Sequence, residues 1–497
     1  MINNLGPASA RRLVPAHAEA PLFDCLRDFV ERGQAPFFSP GHKGGRSLDP
    51  WFRENIAAID LNNLPDTDTL HCPSGPIAEA EQLIADAWGA SESFMLVQGS
   101  TAGNIAMALA TLKPGDKVLI QRNAHKSVIS GLIQTGAVPV WMQPHWDPDF
   151  GLAHGLDALQ VDKTLTETRA KAVWILHPTY YGSVSDLLAI KAVCDKHDAI
   201  LLVDGAHSPH FAFHPDLPIA AERSGAAAVV QSVHKILSGL SQAALLHIDG
   251  KRIETGTMRR ALQLIQTTSP HFGIMASIDL ARRQMATEGE AIMGRTLALA
   301  RRARHELAAI PGIRLLGREH ALGAGRGFFD LDETKLVIGI SGIGMDGRHA
   351  QSVLNRVYGV QPELGGTDHV LCILTLGNTD EDVDRLVAAF KDMAQEGSDR
   401  RAVRTDGRLA VEALRLLPEL VIPPRDAFFA EEETVAFDDA IGRIVAEVVT
   451  PYPPGIPLLM PGERINTDVA SLLKALARAD TPISASDPQL DTVKVVK

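Results

Sequence analysis

Ile200-Leu201-Leu202-Val203-Asp204-Gly205-Ala206-His207 reads as a buried strand ending in a carboxylate. Ala228-Val229-Val230-Gln231-Ser232-Val233-His234-Lys235 reads as a second strand that runs straight into a lysine. Short continuous apolar runs of this kind, bounded by turn residues, are typical of strands buried on both faces. Four more lie upstream, at Phe94–Val97, Lys117–Ile120, Val138–Met142 and Ala172–Leu176, with helix patterns at Ala102–Leu112, Val128–Thr135 and Leu187–Lys196. The alternation predicts an α/β fold with a mostly parallel sheet covered by helices on both faces. Such sheets bind ligands beyond the carboxyl ends of their strands, which is where Asp204 and Lys235 fall.

Working outward, residues 1–20 read as a loose arm. A helix pattern follows over Leu22–Arg32, then the loop Phe38–Gly45, a loop-rich stretch Asp60–Pro76 and a helix over Ile77–Trp88. Downstream, a long helical stretch, Ile274–Ala309, leads to strands near Leu336–Ile340 and Val370–Leu376, with helices over Arg348–Tyr358 and Asp380–Glu396. From about Ala402 the pattern restarts with its own strand, helix and Pro-rich segment, and beyond Thr481 it turns polar, which predicts fraying. The expected division is 1–70 as arm and loop-rich segment, 71–310 as large domain, 311–400 as a smaller α/β domain and 401–497 as a C-terminal α+β domain.

Composition narrows the classes. At 497 residues, 45% apolar and 22% charged, the chain is an ordinary globular protein of about three folding units. A net charge of −12 argues against a nucleic-acid binder. No apolar run approaches the ~18 residues of a membrane span, and the N-terminus lacks the apolar core of a secretory signal. Cys25, Cys72, Cys194 and Cys372 are scattered, matching neither a disulfide framework nor a close-spaced metal site, so no metal is expected. They are expected to be small buried residues in a protein of the reducing cytoplasm.

The strand-end residues suggest one chemistry. Pyridoxal phosphate (PLP) needs a lysine to form an imine with its aldehyde, a carboxylate to keep its ring nitrogen protonated, and N–H and hydroxyl groups for its phosphate. Lys235 and Asp204 answer the first two demands. Gly99-Ser100-Thr101, between a strand and a helix, answers the third. Each alone has an ordinary explanation: a solvated lysine, a helix cap, a helix start. Together, in the order phosphate loop, carboxylate, lysine, they point to PLP.

With these residues in view, the chain resembles the Orn/Lys/Arg decarboxylases of the aspartate-aminotransferase fold (PLP fold type I), in the short form without an N-terminal wing domain. The resemblance is carried by Pro40-Gly41-His42-Lys43-Gly44, Gly75–Ala80, Gln98–Thr101, Asn123-Ala124-His125-Lys126-Ser127, Pro178–Gly182, Asp204–His207, Ser232–Lys235, Gln266–Pro270, Gln361-Pro362-Glu363 and Tyr452–Pro457. It implies decarboxylation of arginine, lysine or ornithine. Lys235 would hold the cofactor and Asp204 would pair with its ring nitrogen. His125 would stack on the ring opposite Ala206, and Ser100, Thr101, Ser232 and His234 would grip the phosphate. Thr179 and His207 would lie near the ring hydroxyl and the substrate. It also implies a homodimer or dimer of dimers, with Pro40–Arg46 and Thr267–Pro270 as expected cross-chain contacts. Glu363 is the expected partner of the substrate's basic end, with Asp66 and Asp68 in reserve. His271-Phe272-Gly273 and Gly365-Gly366-Thr367-Asp368 depart from the family pattern, so the identity of the substrate stays open.

Three rival readings stand beside this one. Gly342-Ile343-Gly344-Met345-Asp346-Gly347 satisfies a dinucleotide fingerprint, with Glu363 where a ribose-binding acid would fall. A lone fingerprint is weak, and Asp346 fits better as a helix cap. An aminotransferase would clamp the α-carboxylate with an arginine, for which Arg348 and Arg356 are the candidates. A catalytically idle PLP-fold scaffold would have no use for Lys235, Asp204 and both phosphate segments.

Overall fold

In a computed structural model, the structure describes residues 19–397, 417–451, 456–478 and 481–497. Most of the expected arm, the restart near Ala402 and Tyr452–Gly455 lie outside these residues.

The core is a seven-stranded sheet in the order Glu92–Leu96, Ala244–Ile248, Ala228–Gln231, Ile200–Asp204, Ala172–Leu176, Lys117–Gln121 and Val138–Met142. Every pairing is parallel except those of Ala244–Ile248, which runs antiparallel to both neighbours. That strand was not expected, since its five residues look like another apolar run. A short return from the Lys235 turn lets it reverse beside Ala228–Gln231, whereas a parallel strand would need a full crossover. Apolar clusters cover both faces, one built on Met107, Val128 and Leu132, the other on Val161, Ile190 and Cys194.

The long helix, Phe272–Ala308, leads into a four-stranded antiparallel sheet ordered Arg314–Leu315, Lys335–Gly339, His369–Ile373 and Leu364–Gly365. Helices Gly347–Arg356 and Asp380–Gly397 accompany it. Strand Ala35–Phe37, expected to belong to a loop-rich arm, pairs with Val360–Pro362, so the N-terminal segment is stitched into the smaller unit.

The dinucleotide fingerprint fails on topology. Its preceding strand has antiparallel neighbours on both sides, so no βαβ crossover exists there. Asp346 caps the following helix by accepting from His349 N at 2.9 Å. Gly347 is required by packing, since a Cβ there would lie 2.2 Å from the His369 carbonyl oxygen.

Two expectations are corrected. The end of the chain is ordered: Thr492–Val496 pairs with Glu432–Ala436, and Val493 and Val495 are fully buried in a core with Phe437, Leu459 and Leu473. The period-two alternation of Thr492-Val493-Lys494-Val495-Val496 carries that signal, which the polar flanks hide. Cys25 and Cys72 are exposed, because helix Pro21–Glu31 buries none of its residues and Cys72 lies in a loop; only Cys194 and Cys372 are buried. Among the described residues no helix is long and apolar enough to cross a membrane.

Candidate active site

The site forms at the carboxyl edge of the large sheet. Asp204 ends its strand in register with Leu176 on one side and Val230 on the other. The next strand stops at Gln231, and a single helical turn, Val233–Ile236, carries Lys235. The Phe38–Gly45 loop lies against that turn. Gly41 N donates to the His234 carbonyl at 2.7 Å, and a Cβ on Gly41 would sit 2.4 Å from the Ile236 carbonyl carbon. Only glycine permits that approach.

A cavity of about 540 Å³ opens here, lined by the Gly99–Thr101 segment, His125, Thr179, Asp204, Ala206, His207, Ser232, His234 and Lys235. All the residues expected to hold the cofactor therefore meet at one place. Glu363, the expected substrate residue, is not among the lining residues; its contacts are given below.

Burial lowers the Lys235 pKa, opposed by the charges of Asp204 and Glu363, so the amine gives up its proton more readily than a surface lysine. Its Nζ lies 3.0 Å from His207 Nε2. Burial, and then Lys235 beside it, hold His207 well below the usual histidine range, so the ring is neutral. His207 Nδ1 is buried with no hydrogen-bond partner among the described residues.

Asp204 accepts from Ala206 N at 3.1 Å and from Asn104 Nδ2 at 2.9 Å. Asn104 Nδ2 also donates to Ser127 Oγ at 2.8 Å, and Ser127 Oγ lies 2.8 Å from His125 Nδ1. His125 Nδ1 also accepts from Ser127 N, so the ring proton of neutral His125 sits on Nε2. Burial favours that neutral form. One asparagine thus ties the carboxylate to the histidine.

At the other end, the first turn of helix Gly99–Thr111 lines the cavity, and Ser100 Oγ lies 2.7 Å from Ser232 Oγ. His234 Nδ1 donates to the Ala243 carbonyl at 2.9 Å, and burial holds the ring at a pKa of about 4. An arriving phosphate dianion would raise it.

Glu363 stands behind Tyr180. Its Oε1 accepts from the Tyr180 hydroxyl at 2.6 Å and its Oε2 from Ser39 N at 2.9 Å. Tyr180 lines the cavity and meets His207 edge-on at 5.1 Å. Glu363 also sits in the field of Lys235 and two further buried lysines, Lys43 and Lys335, which burial lowers to about 7 and about 8. The reserve residues do not reach the cavity lining. Asp68 caps helix Pro76–Trp88, accepting from Ser74 N, Gly75 N and Ile77 N, and Asp66 is exposed. Arg348 donates to Thr481 Oγ1 at 2.7 Å and Arg356 is exposed; neither lines the cofactor cavity.

Sequence reasoning missed Asn104, which sits among small apolar residues in mid-helix, and Arg122. The fully buried Arg122 donates to Glu463 Oε2 at 3.2 Å and to the Leu458 carbonyl at 3.0 Å, tying the loop before His125 to the C-terminal unit. Neither had a local signal: an ion pair between residues so far apart in sequence leaves no spacing to read.

The family model of the Orn/Lys/Arg decarboxylase major domain matches residues 20–382, and that of the C-terminal domain matches residues 407–485. The chain belongs to the Orn/Lys/Arg decarboxylase family. The decarboxylase is 36% identical over 490 residues to an arginine decarboxylase of Bacillus anthracis, covering 96% of this chain and 97% of that relative. It is 36% identical over 485 residues to an arginine decarboxylase of Bacillus subtilis (96% and 98% covered), and 25% identical over 592 residues to the inducible lysine decarboxylase of Escherichia coli K12 (96% and 81% covered). Its fold matches the lysine decarboxylase of Francisella novicida with a TM-score of 0.77 at 22% identity, covering 96% of this chain and 81% of the other. It matches ureidoglycine-glyoxylate aminotransferase of Bacillus subtilis with a TM-score of 0.56 at 16% identity, covering 77% and 98%. The fold is therefore PLP fold type I, and the protein is a PLP-dependent decarboxylase of a basic amino acid.

The residues present fit the cofactor: an amine weakened by burial, a carboxylate held by two donors, and a helix N-terminus flanked by two serine hydroxyls. When bound, PLP supplies the electron sink for the pair left behind as CO2 departs.

Proposed function

We propose that the substrate is arginine and the product its amine, agmatine. The reading is carried by the 36% identity to arginine decarboxylases over 96% of the chain, against 25% to the lysine decarboxylase of Escherichia coli. In this reading Lys235 holds the cofactor and Asp204 faces its ring nitrogen. His125 and Ala206 sandwich the ring, and Ser100, Thr101, Ser232 and His234 take the phosphate. Glu363 acts at the substrate end through Tyr180, whose hydroxyl it orients. Incubating PLP-loaded protein with arginine, lysine and ornithine, and identifying the amines by mass, tests the substrate. A kcat/KM for lysine or ornithine above that for arginine would overturn it.

We further propose a homodimer or dimer of dimers working in the cytoplasm. Leu22, Phe23, Leu26 and Val30 form an exposed apolar face on helix Pro21–Glu31, which a second copy would cover. The Pro40–Arg46 loop and Thr267–Pro270, whose Thr268 and Ser269 are exposed just before the long helix, are the segments expected to reach the partner's site. All four cysteines are unpaired, which supports a reducing compartment. Sedimentation at assay concentration tests the assembly, and a fully active monomer would exclude a shared site.

A further inference from the structure

Each turnover of a decarboxylase consumes one proton. The C–C bond to the carboxylate breaks, CO2 leaves, and the electron pair retained on Cα forms a C–H bond. That proton must be delivered inside the cavity, and the structure contains a chain of hydrogen bonds suited to it.

Asp147 Oδ2 lies 3.3 Å from His154 Nε2, His154 Nδ1 lies 2.8 Å from Ser183 Oγ, and Ser183 Oγ lies 2.8 Å from Thr179 Oγ1. The outer end, Asp147, reaches solvent with 13% of its side chain exposed. His154, Ser183 and Thr179 are buried, and Thr179 lines the cofactor cavity. The His154 ring packs between its neighbours, stacking on Phe328 at 4.3 Å and lying near-parallel to His145 at 6.1 Å. We propose that Asp147, His154, Ser183 and Thr179 form a relay that carries protons from solvent into the cavity, with His154 as the group that holds and passes the proton and Thr179 its inner end. The proposal rests on the decarboxylase reading but not on which basic amino acid is used.

The polarity of the chain follows from its ends. A carboxylate accepts only, so neutral His154 keeps its proton on Nε2, towards Asp147. Nδ1 then accepts from Ser183, Ser183 accepts from Thr179, and Thr179 shows the cavity an oxygen lone pair. Protonated His154 reverses every hydroxyl, and Thr179 becomes a donor. Delivery starts there: the Nδ1–H bond breaks as a Ser183 O–H bond forms, Ser183's own proton passes to Thr179, and Thr179's proton goes to an acceptor in the cavity. Three bonds to hydrogen break and three form, leaving neutral His154 in its resting arrangement. To reset, the imidazole turns over so that its bare nitrogen takes one solvent proton on the Asp147 side, turns back with both nitrogens protonated, and the two hydroxyls rotate to follow it.

Four influences bear on the His154 ring. Burial lowers its pKa, Asp147 raises it, and His145 and His320 lower it. Imidazolium is the delivering form, so kcat should fall as pH rises through the His154 pKa. Removing the Asp147 charge should move that fall to lower pH.

The experiment uses the PLP-loaded enzyme. Ser183→Ala should lower kcat by roughly tenfold or more with KM little changed, and Ser183→Thr, which keeps the hydroxyl, should restore it. The visible absorbance of bound PLP should be the same in all three proteins. Asp147→Asn should shift the alkaline fall of kcat towards acid. The wild-type proton inventory in mixed H2O and D2O should curve, as several protons move together. A kcat for Ser183→Ala within about twofold of wild type overturns the relay. If that variant does not fold, an unshifted pH profile in Asp147→Asn with a linear inventory overturns it equally. A wild-type protein that releases no CO2 from any basic amino acid would instead sink the decarboxylase reading itself.

Discussion

The side-chain amide of Asn104 donates to Asp204 Oδ2 at 2.9 Å and, through the same nitrogen, to Ser127, which holds His125. The groups expected below and above the cofactor ring are therefore set by one residue with two N–H bonds. Asn104→Leu keeps the volume and removes both donors. We expect it to bind PLP but to lose roughly 10-fold to 100-fold in kcat, with a shifted visible spectrum, because buried groups left unpaired cost about 1–3 kcal/mol each. Unchanged kcat and spectrum would show that Asp204 and His125 hold their positions unaided.

Lys235 is the residue that borohydride should trap. Reduction of the loaded enzyme followed by peptide mass mapping should place a pyridoxyl group there, and Lys235→Ala should lose turnover by several orders of magnitude. A label on Lys43 or Lys335, the other buried lysines nearby, would move the cofactor's anchor.

Asp204→Asn should retain PLP, since Ser100 and Ser232, the residues proposed for the phosphate, are untouched. It should lose about 10²-fold or more in kcat, at least ~2.7 kcal/mol of transition-state stabilisation, because the ring nitrogen is no longer kept protonated. Near-normal turnover would assign that partner elsewhere.

Glu363 and Tyr180 form a pair at 2.6 Å and should be tested as one. Glu363→Gln is expected to cut kcat/KM for the basic substrate by roughly 10²-fold, with normal PLP absorbance. If Glu363 acts through Tyr180, the double variant with Tyr180→Phe should be little worse than Glu363→Gln alone. Additive losses would separate the two roles.

Stability should fall in acid for a reason visible in the core. Burial lowers His177 to about 4 and His247 to about 3, below the usual 6.5. With a depressed folded pKa, each contributes fully above about pH 6.5, and the contribution is lost as pH falls, because the unfolded chain takes up protons that the fold refuses. The loss is about 1 kcal/mol per histidine per pH unit between roughly 6.5 and 4. Thermal melts of the loaded enzyme should show Tm dropping over that window. A flat Tm would mean that the rings are reached by water.

Lys235 and Asp204 were legible because strands buried on both faces are continuous apolar runs, and whatever ends such a run stands at the sheet edge. The order of the motifs then made the cofactor legible. Asn104 was not, because an amide inside a helix of small residues has no local mark of its partner 100 positions away. His154 and Ser183 lie 29 residues apart and meet only after the sheet has formed. Strand Ala244–Ile248 was hidden because apolar runs do not declare their direction. Glu363 was read as the substrate's partner without sight of Tyr180 and Ser39, which hold its two oxygens, because those contacts are set by the meeting of the N-terminal loop with the smaller unit.

The ion pair between Arg122 and Glu463 spans 341 positions of sequence. A ribosome makes the chain from its N-terminus, so the guanidinium beside the stacking loop is synthesised long before its counter-charge. Until Glu463 emerges, Arg122 has no carboxylate to enter the core with, and burying it alone would be prohibitive. The loop that leads to His125 must therefore stay open to water until the segment carrying Glu463 has been made.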